Sequence, residues 1–206
     1  MTAMAAEIRK GRKYDQVLAG ARQVFLTDGF EGASVDQIAR VSEVSKATLY
    51  SYFPDKKLLF MEVASVECQR QADQAMSDID LARPPREVLG QVGRHYLGFI
   101  LSDFGQRIFR ICVAESDRFP ELGRKFYASG PELFRERMGN YLYQAQERGE
   151  VRIGDFNLAS DQFAELCKAD LWPRMIFGVL DQASPQTISR VIDGAVETFM
   201  ARYGVC

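Results

Sequence analysis

Apolar side chains recur in this chain at steps of three and four residues almost from end to end, and nowhere do they alternate over a strand's length. That spacing stacks them on one face of a helix after another and excludes a sheet-based core. Tyr14, Val17, Leu18, Ala21, Val24 and Phe25 trace the first stripe, which stops near Asp28-Gly29. Ser34 opens a short second helix carrying Val35, Ile38 and Ala39, and its SVDQ pattern predicts a capping box in which Gln37 reaches back to the cap. A third short helix starts at Ser45, buries Leu49 and Phe53, and ends before Pro54. Asp55 caps a long helix that runs to about Ile79. Arg83-Pro84-Pro85 opens the next, with Val88, Val92, Tyr96, Phe99 and Ile100 on one face. Ile108 to Cys112 mark another, and Leu133 to Ala145 a longer one that closes near Gly149. Phe163 to Leu180 read as a single helix kinked at Pro173. Ser184-Pro185 starts a last helix, striped by Ile192, Ala195, Val196 and Phe199. The fold class is all-α, with about nine helices.

Several function classes fall away on composition. The 206 residues are 47% hydrophobic and 26% charged, enough to bury a sizeable core in one large or two smaller domains. The four cysteines stand far apart, with no CxxC pair and one histidine in the chain. That pattern argues against a zinc site or a disulfide scaffold and fits a reducing cytosol. No apolar run reaches the roughly 18 residues needed to span a bilayer, and MTAMAAEIRKGRK lacks the apolar stretch of a signal peptide. The expected protein is cytoplasmic, with no membrane partner, metal or cofactor. Its net charge of −2 hides an asymmetry: residues 1–60 carry nine Lys/Arg against seven Asp/Glu, and the remainder is acidic.

Residues 42–53, SEVSKATLYSYF, show what the mildly basic end is for. Six of the twelve carry a hydroxyl (Ser42, Ser45, Thr48, Tyr50, Ser51 and Tyr52), Lys46 is the one charge after Glu43, and no acid returns until Asp55. Two short helices around a tight turn form a helix-turn-helix pattern, whose second helix enters a major groove. Short hydroxyls and a cation suit phosphate oxygens and base edges, which would repel acids. The cluster Arg9, Lys10, Arg12 and Lys13 is a solvated tail or a further phosphate contact. A helix-turn-helix that is only structural is the bland alternative.

The stretch VLAGARQVFLTDGFEGASVDQIARVSEVSKATLYSYFPDKKLLF, residues 17–60, closely resembles the DNA-binding domain of the TetR family of transcriptional regulators. ESDRFPELGRKFYASGPE (115–132) and ERGEVRIGDFNLASDQF (147–163) resemble the C-terminal domain of its AefR-like branch. The resemblance implies a three-helix DNA-binding domain over 1–60, an effector-binding and dimerisation domain over 61–206, and a ligand-responsive repressor rather than an enzyme. By the same resemblance Ser34 caps the second helix and touches phosphate. Lys46, Ala47 and Thr48 form the leading edge of the recognition helix, and Ser45 at its start is counted among the DNA contacts. Tyr50 and Tyr52 reach backbone or base edges, Ser51 reads bases, and Lys56 anchors phosphate. Family members commonly carry glycine where this chain has Glu43, so a left-handed turn would be strained there.

In the second domain the readings stay open. His95 is a hydrogen-bonded core residue or a pocket residue, and Cys112 is core, pocket or redox sensor. Phe99 and Phe109 belong to an aromatic group that is ordinary core or, as the resemblance implies, the wall of a cavity for a small apolar or aromatic effector. Trp172 lines a pocket or packs a dimer face. The resemblance implies a homodimer on a roughly palindromic DNA operator, with Ile192, Val196 and Phe199 expected in a four-helix dimer interface. No nucleophile–base–orienter set exists to support catalysis. The alternative function is a helical small-molecule-binding protein or enzyme in which the helix-turn-helix has no partner.

Overall fold

A computed structural model describes residues 11–205; Arg9, Lys10 and Cys206 lie outside them. The described residues are helical throughout, with no strand and one isolated antiparallel bridge, Val151 to Gly204. The chain divides into two compact units, one ending at Val66 and the other beginning at Glu67.

The first unit holds α1 (Arg12–Gly32), α2 (Val35–Val41), α3 (Lys46–Tyr52) and the beginning of α4 (Lys56–Asp78). Gly29 breaks α1 with φ 69° and ψ −178°, so the regular helix stops where the apolar stripe stops. Behind the break Phe25, Phe30 and Phe60 pack with ring centroids 5.0–6.1 Å apart, and Val17, Ile38, Leu49 and Leu59 fill the rest of the core. Ser34 Oγ accepts from Gln37 N at 3.1 Å, as a cap should. The reciprocal half of the expected box is absent: Gln37 donates its side-chain amide to Asp28 instead, 2.5 Å away, which ties α2 to α1.

The α2–α3 turn is a Schellman motif. Glu43 N donates to Arg40 O and Val44 N to Ala39 O, with Glu43 at φ 52°. Two other helix ends use the same motif with glycine in that place: Gly149 at φ 75° and Gly178 at φ 67°. Glu43 therefore holds the geometry expected of the turn at the strain expected for a side chain. The turn cannot relax, because Ser42 is wedged against α1: a Cβ on Gly20 would lie 2.2 Å from Ser42 Oγ.

The second unit holds the remainder of α4 with α5 (Pro85–Ile100), α6 (Asp103–Glu115), α7 (Pro120–Tyr127), α8 (Leu133–Glu147), α9 (Phe156–Lys168), α10 (Leu171–Ile176) and α11 (Pro185–Tyr203). Its core is formed mainly by α5, α8, α9 and α11, with Leu97, Leu142, Phe163, Ile192 and Phe199 buried together. A Cβ on Gly93 of α5 would come within 2.9 Å of Ile192, so glycine there sets how closely α5 meets α11. Arg135 forks onto both Asp161 oxygens and donates to Tyr127 Oη, fastening α8 to α9 and α7.

Three expectations are corrected. The helix predicted across 163–180 is two helices, because Asp170, at φ 66° and ψ −52°, makes a γ-turn closed by Leu171 N to Ala169 O. Pro173 then sits harmlessly in the first turn of α10, and Phe177 lies outside it, 82% exposed. The expectation had no place for α7. Finally, Ile192, Val196 and Phe199 are at most 7% exposed within a single chain, so they face their own core and cannot be the surface that meets a partner.

The strained turn yields a prediction. Glu43 is exposed and loses no packing on truncation. Glu43→Gly should therefore raise unfolding stability by about 0.5–1 kcal/mol, the left-handed penalty less the extra entropy of an unfolded glycine, as read from urea denaturation midpoints.

Candidate nucleic-acid interface and ligand cavity

The candidate recognition surface is the outward side of α3 with its cap Ser45. Ser45 Oγ accepts from Thr48 N at 3.0 Å and lies 2.9 Å from Thr48 Oγ1, while Ser51 Oγ donates to Thr48 O at 2.6 Å. These hydroxyls fix the helix start and remain accessible, since Ser45, Ala47, Tyr50 and Ser51 are exposed and Thr48 half-buried. Leu49 turns inward and is buried. Tyr52 is half-buried, its ring edge-on to Tyr14 at 5.7 Å. Ser42, one of the six hydroxyls, is buried against Gly20 with no hydrogen-bond partner, so it belongs to the scaffold. Ser34 stands exposed at the start of α2.

The two lysines differ from their expectation. Lys46 is exposed but forms an ion pair with Asp36 on α2; the absence of acids along α3 does not extend to its neighbour. Lys56 is half-buried, donates to Phe30 O at 2.8 Å and Ala33 O at 3.0 Å, and lies 4.3 Å from the Phe30 ring centroid. It clamps the end of α1 to the start of α4 and is left with at most one proton for a phosphate. That corrects the picture of a free phosphate anchor. Tyr14 was legible only as core, yet its hydroxyl donates to Glu62 on α4 at 2.6 Å.

The second unit encloses a cavity of about 260 Å3, near the lower end of the roughly 300–1,000 Å3 of small-molecule sites. Its wall draws on α4 to α10 and the π-helical turn Ala128–Glu132 between α7 and α8. Aromatic rings dominate: Tyr96 meets Phe134 at 4.6 Å, and Phe109 meets Trp172 at 5.0 Å. His95, Phe99 and Phe109 all belong to the wall. His95 is exposed, so it sits at the edge and is not a core residue. Cys112 is buried and not part of the wall. Burial pushes the Cys68 and Cys112 thiols up to about 12, with Cys68 also opposing ionisation of Cys112. Sequence reasoning missed Arg137 and Tyr141 on α8. Their polar ends point at no periodic signal, because Tyr141 reads as one more member of the apolar stripe.

Among the described residues, no three His, Cys, Asp or Glu are grouped to hold a metal, and no helix is long and apolar enough to cross a membrane.

Comparisons with known proteins agree with this geometry. Residues 17–63 match the family described as bacterial regulatory proteins, tetR family, and residues 87–205 match the AefR-like transcriptional repressor, C-terminal domain. The regulator QacR of Staphylococcus aureus is 32% identical over 60 residues, 29% of this chain and 32% of that protein. Matches to such curated relatives thus span less than half of their length. Solved structures match over nearly the whole chain. A TetR-family regulator from Mesorhizobium loti has a TM-score of 0.73 at 27% identity, covering 97% of this chain and 100% of that one. The flavonoid-responsive regulator FrrA has a TM-score of 0.70 at 33% identity, covering 95% and 98%. With family matches over both units, the second spanning more than half of the sequence, the chain belongs to the TetR family of bacterial transcriptional regulators and carries an AefR-like C-terminal domain.

Proposed function

We propose that this protein is a homodimeric, cytoplasmic transcriptional repressor that leaves a roughly palindromic DNA operator when a small aromatic, mainly apolar effector fills the cavity. The observation that carries the DNA half is α3 itself: exposed Lys46, Ala47, Tyr50 and Ser51 on a helix with no carboxylate, held in a helix-turn-helix. The aromatic wall supports the effector half. FrrA is described as flavonoid-responsive, which makes flat polyphenols the first compounds to screen here. No catalytic step is proposed.

The route from effector to operator runs through α4. The helix begins at Lys56 in the first unit and supplies Ala72 and Met76 to the cavity wall. An effector that favours the DNA-incompetent arrangement about 100-fold supplies roughly 2.7 kcal/mol of coupling. Linkage then requires operator DNA to weaken effector binding by the same factor. Equal effector affinity with and without operator would show that the ligand is no inducer, and failure to bind any operator would leave a small-molecule-binding protein with a structural helix-turn-helix.

The lysines separate by measurement. Lys46→Ala should flatten the log–log salt dependence of operator binding by about 0.9 per half-site, without changing thermal stability. Lys56→Met should lower stability by about 1–2 kcal/mol through the lost clamp, with the salt slope unchanged. A flattened slope for Lys56→Met would return that residue to the phosphate contacts.

The dimer face moves to the outward side of α11, where Asp193, Gly194, Glu197, Thr198 and Ala201 are exposed. Nothing lies within 4 Å of a Cβ built on Gly194, and Thr198 Oγ1 turns back to donate to Gly194 O, so a partner helix can approach closely. Gly194→Arg should preserve the fold, with a helix-propensity gain of about 0.5–1 kcal/mol, but sediment as a monomer. A dimer of unchanged affinity would exclude this face.

A further inference from the structure

The charged groups on the cavity wall are of one sign. Arg137 and Lys168 are cations, and no Asp or Glu belongs to the wall. Each cation is steadied from one side: Arg137 Nη2 donates to Asp73 Oδ1 at 3.0 Å, and Lys168 pairs with Glu165 at 2.5 Å. Arg137 nevertheless has its Nε–H buried without an acceptor. The hydroxyl of Tyr141, a residue 3% exposed, is buried in the same condition. Native proteins leave few such groups unmatched, because a buried donor without an acceptor has lost its hydration for nothing. Here the two lie at i and i+4 on α8, one turn apart on one helix face. Burial pushes the Tyr141 hydroxyl up to about 12, so it keeps its proton at neutral pH and acts as a donor.

The geometry points to an anion subsite: Tyr141 Oη and Arg137 Nε receive the carboxylate or other anionic oxygen of an aromatic ligand whose rings lie against Phe109, Phe134 and Trp172. The ligand is thus an aryl acid or acidic phenol of about two rings, a size set by the cavity. Hydrogen bonds from two buried donors to a charged oxygen are the strong kind, and the uncharged remainder of the wall supplies the apolar contact. Selectivity follows from the same groups. An apolar ligand of equal size would leave both donors unmatched, so the site discriminates against it by more than the lost contact alone. The biological meaning of this subsite rests on the cavity being the effector site; the binding itself does not.

The test is calorimetric, on the full chain, with two probes of one shape: 2-naphthoate and 2-methylnaphthalene. Wild-type protein should bind 2-naphthoate at least about tenfold more tightly. Tyr141→Phe should weaken 2-naphthoate about tenfold and change 2-methylnaphthalene by less than about twofold. Without probe, its melting temperature should equal or exceed that of the wild type, since the hydroxyl has no partner to lose. Arg137→Lys keeps a charge for Asp73 but removes the Nε–H, and should weaken 2-naphthoate in the same sense. Equal 2-naphthoate affinity for wild type and Tyr141→Phe overturns the subsite, as does failure of the wild type to bind 2-naphthoate, or a lowered melting temperature for Tyr141→Phe. If 2-naphthoate binds through Tyr141 yet leaves operator binding unchanged in a mobility assay, the subsite stands and the effector reading falls.

Discussion

A seven-residue helix cannot hold itself in water, since isolated helices become stable only beyond about 12–15 residues. The position of α3 therefore depends on what grips it, and the central grip is Tyr14. Its ring lies 5.4 Å from Phe53 and 5.7 Å from Tyr52, both at the end of α3, while its hydroxyl donates to Glu62 of α4. One side chain from α1 thus holds the recognition helix and α4 together. Lys56 and the Schellman turn at Glu43 complete the frame, one by two carbonyl hydrogen bonds and the other by two backbone hydrogen bonds. The exposed hydroxyls of α3 can serve a partner because none of these supports uses them, apart from the local bonds of Ser45 and Ser51 to Thr48.

The second unit is built on a different balance. Its core helices pack densely, but the cavity is flanked by elements of less regular geometry. The π-helical turn contains Pro131, which has no N–H to donate, and such turns recur at functional sites. Asp170 holds a γ-turn of the rarer hand just before Trp172, its carboxylate paired with Arg174 and Arg190. The six-residue α10 is capped from α6, where Arg110 donates to Met175 O and Ile176 O. Side-chain clamps hold this part of the wall in place.

Residues whose role follows from local periodicity were legible in the sequence. The caps Ser34, Ser45 and Ser184, the stop at Gly29 and the buried stripes of α1 and α11 all come from rules that act over four or five residues. Glu43 was legible for the same reason: a turn that needs a left-handed residue demands it of whatever stands there. Long-range pairing was not legible. Nothing local says that Lys56 finds the carbonyls of Phe30 and Ala33, that Asp36 lies beside Lys46, or that Arg137 reaches Asp73 on α4. The stripe of Ile192, Val196 and Phe199 shows the limit most clearly. Periodicity identifies an apolar face, but it cannot tell whether α5 and α9 of the same chain or a second chain will cover it. The γ-turn at Asp170 escaped because proline is the familiar breaker, and here the break falls three residues before it.

The chemistry of the second unit narrows the form any signal takes. Burial pushes the Cys68, Cys112 and Cys167 thiols up, so little of the thiolate, the reactive form, is present at neutral pH. At these three cysteines oxidation is therefore a slow input compared with binding. A bound ligand, however, can shift an equilibrium only by its difference in affinity for the two states, however tightly it binds. Apolar contact is non-directional, so it changes less steeply with a small displacement than a hydrogen bond does. Fixed donors behave otherwise: a charged oxygen displaced by an ångström from Tyr141 Oη or Arg137 Nε loses most of its hydrogen bond. Arg137 is also bonded to Asp73 on α4, so the donor that would recognise the ligand is held by the helix that begins at Lys56. On the proposed reading, the aromatic wall would supply affinity, and this α8–α4 polar pair would make binding sensitive to the position of α4.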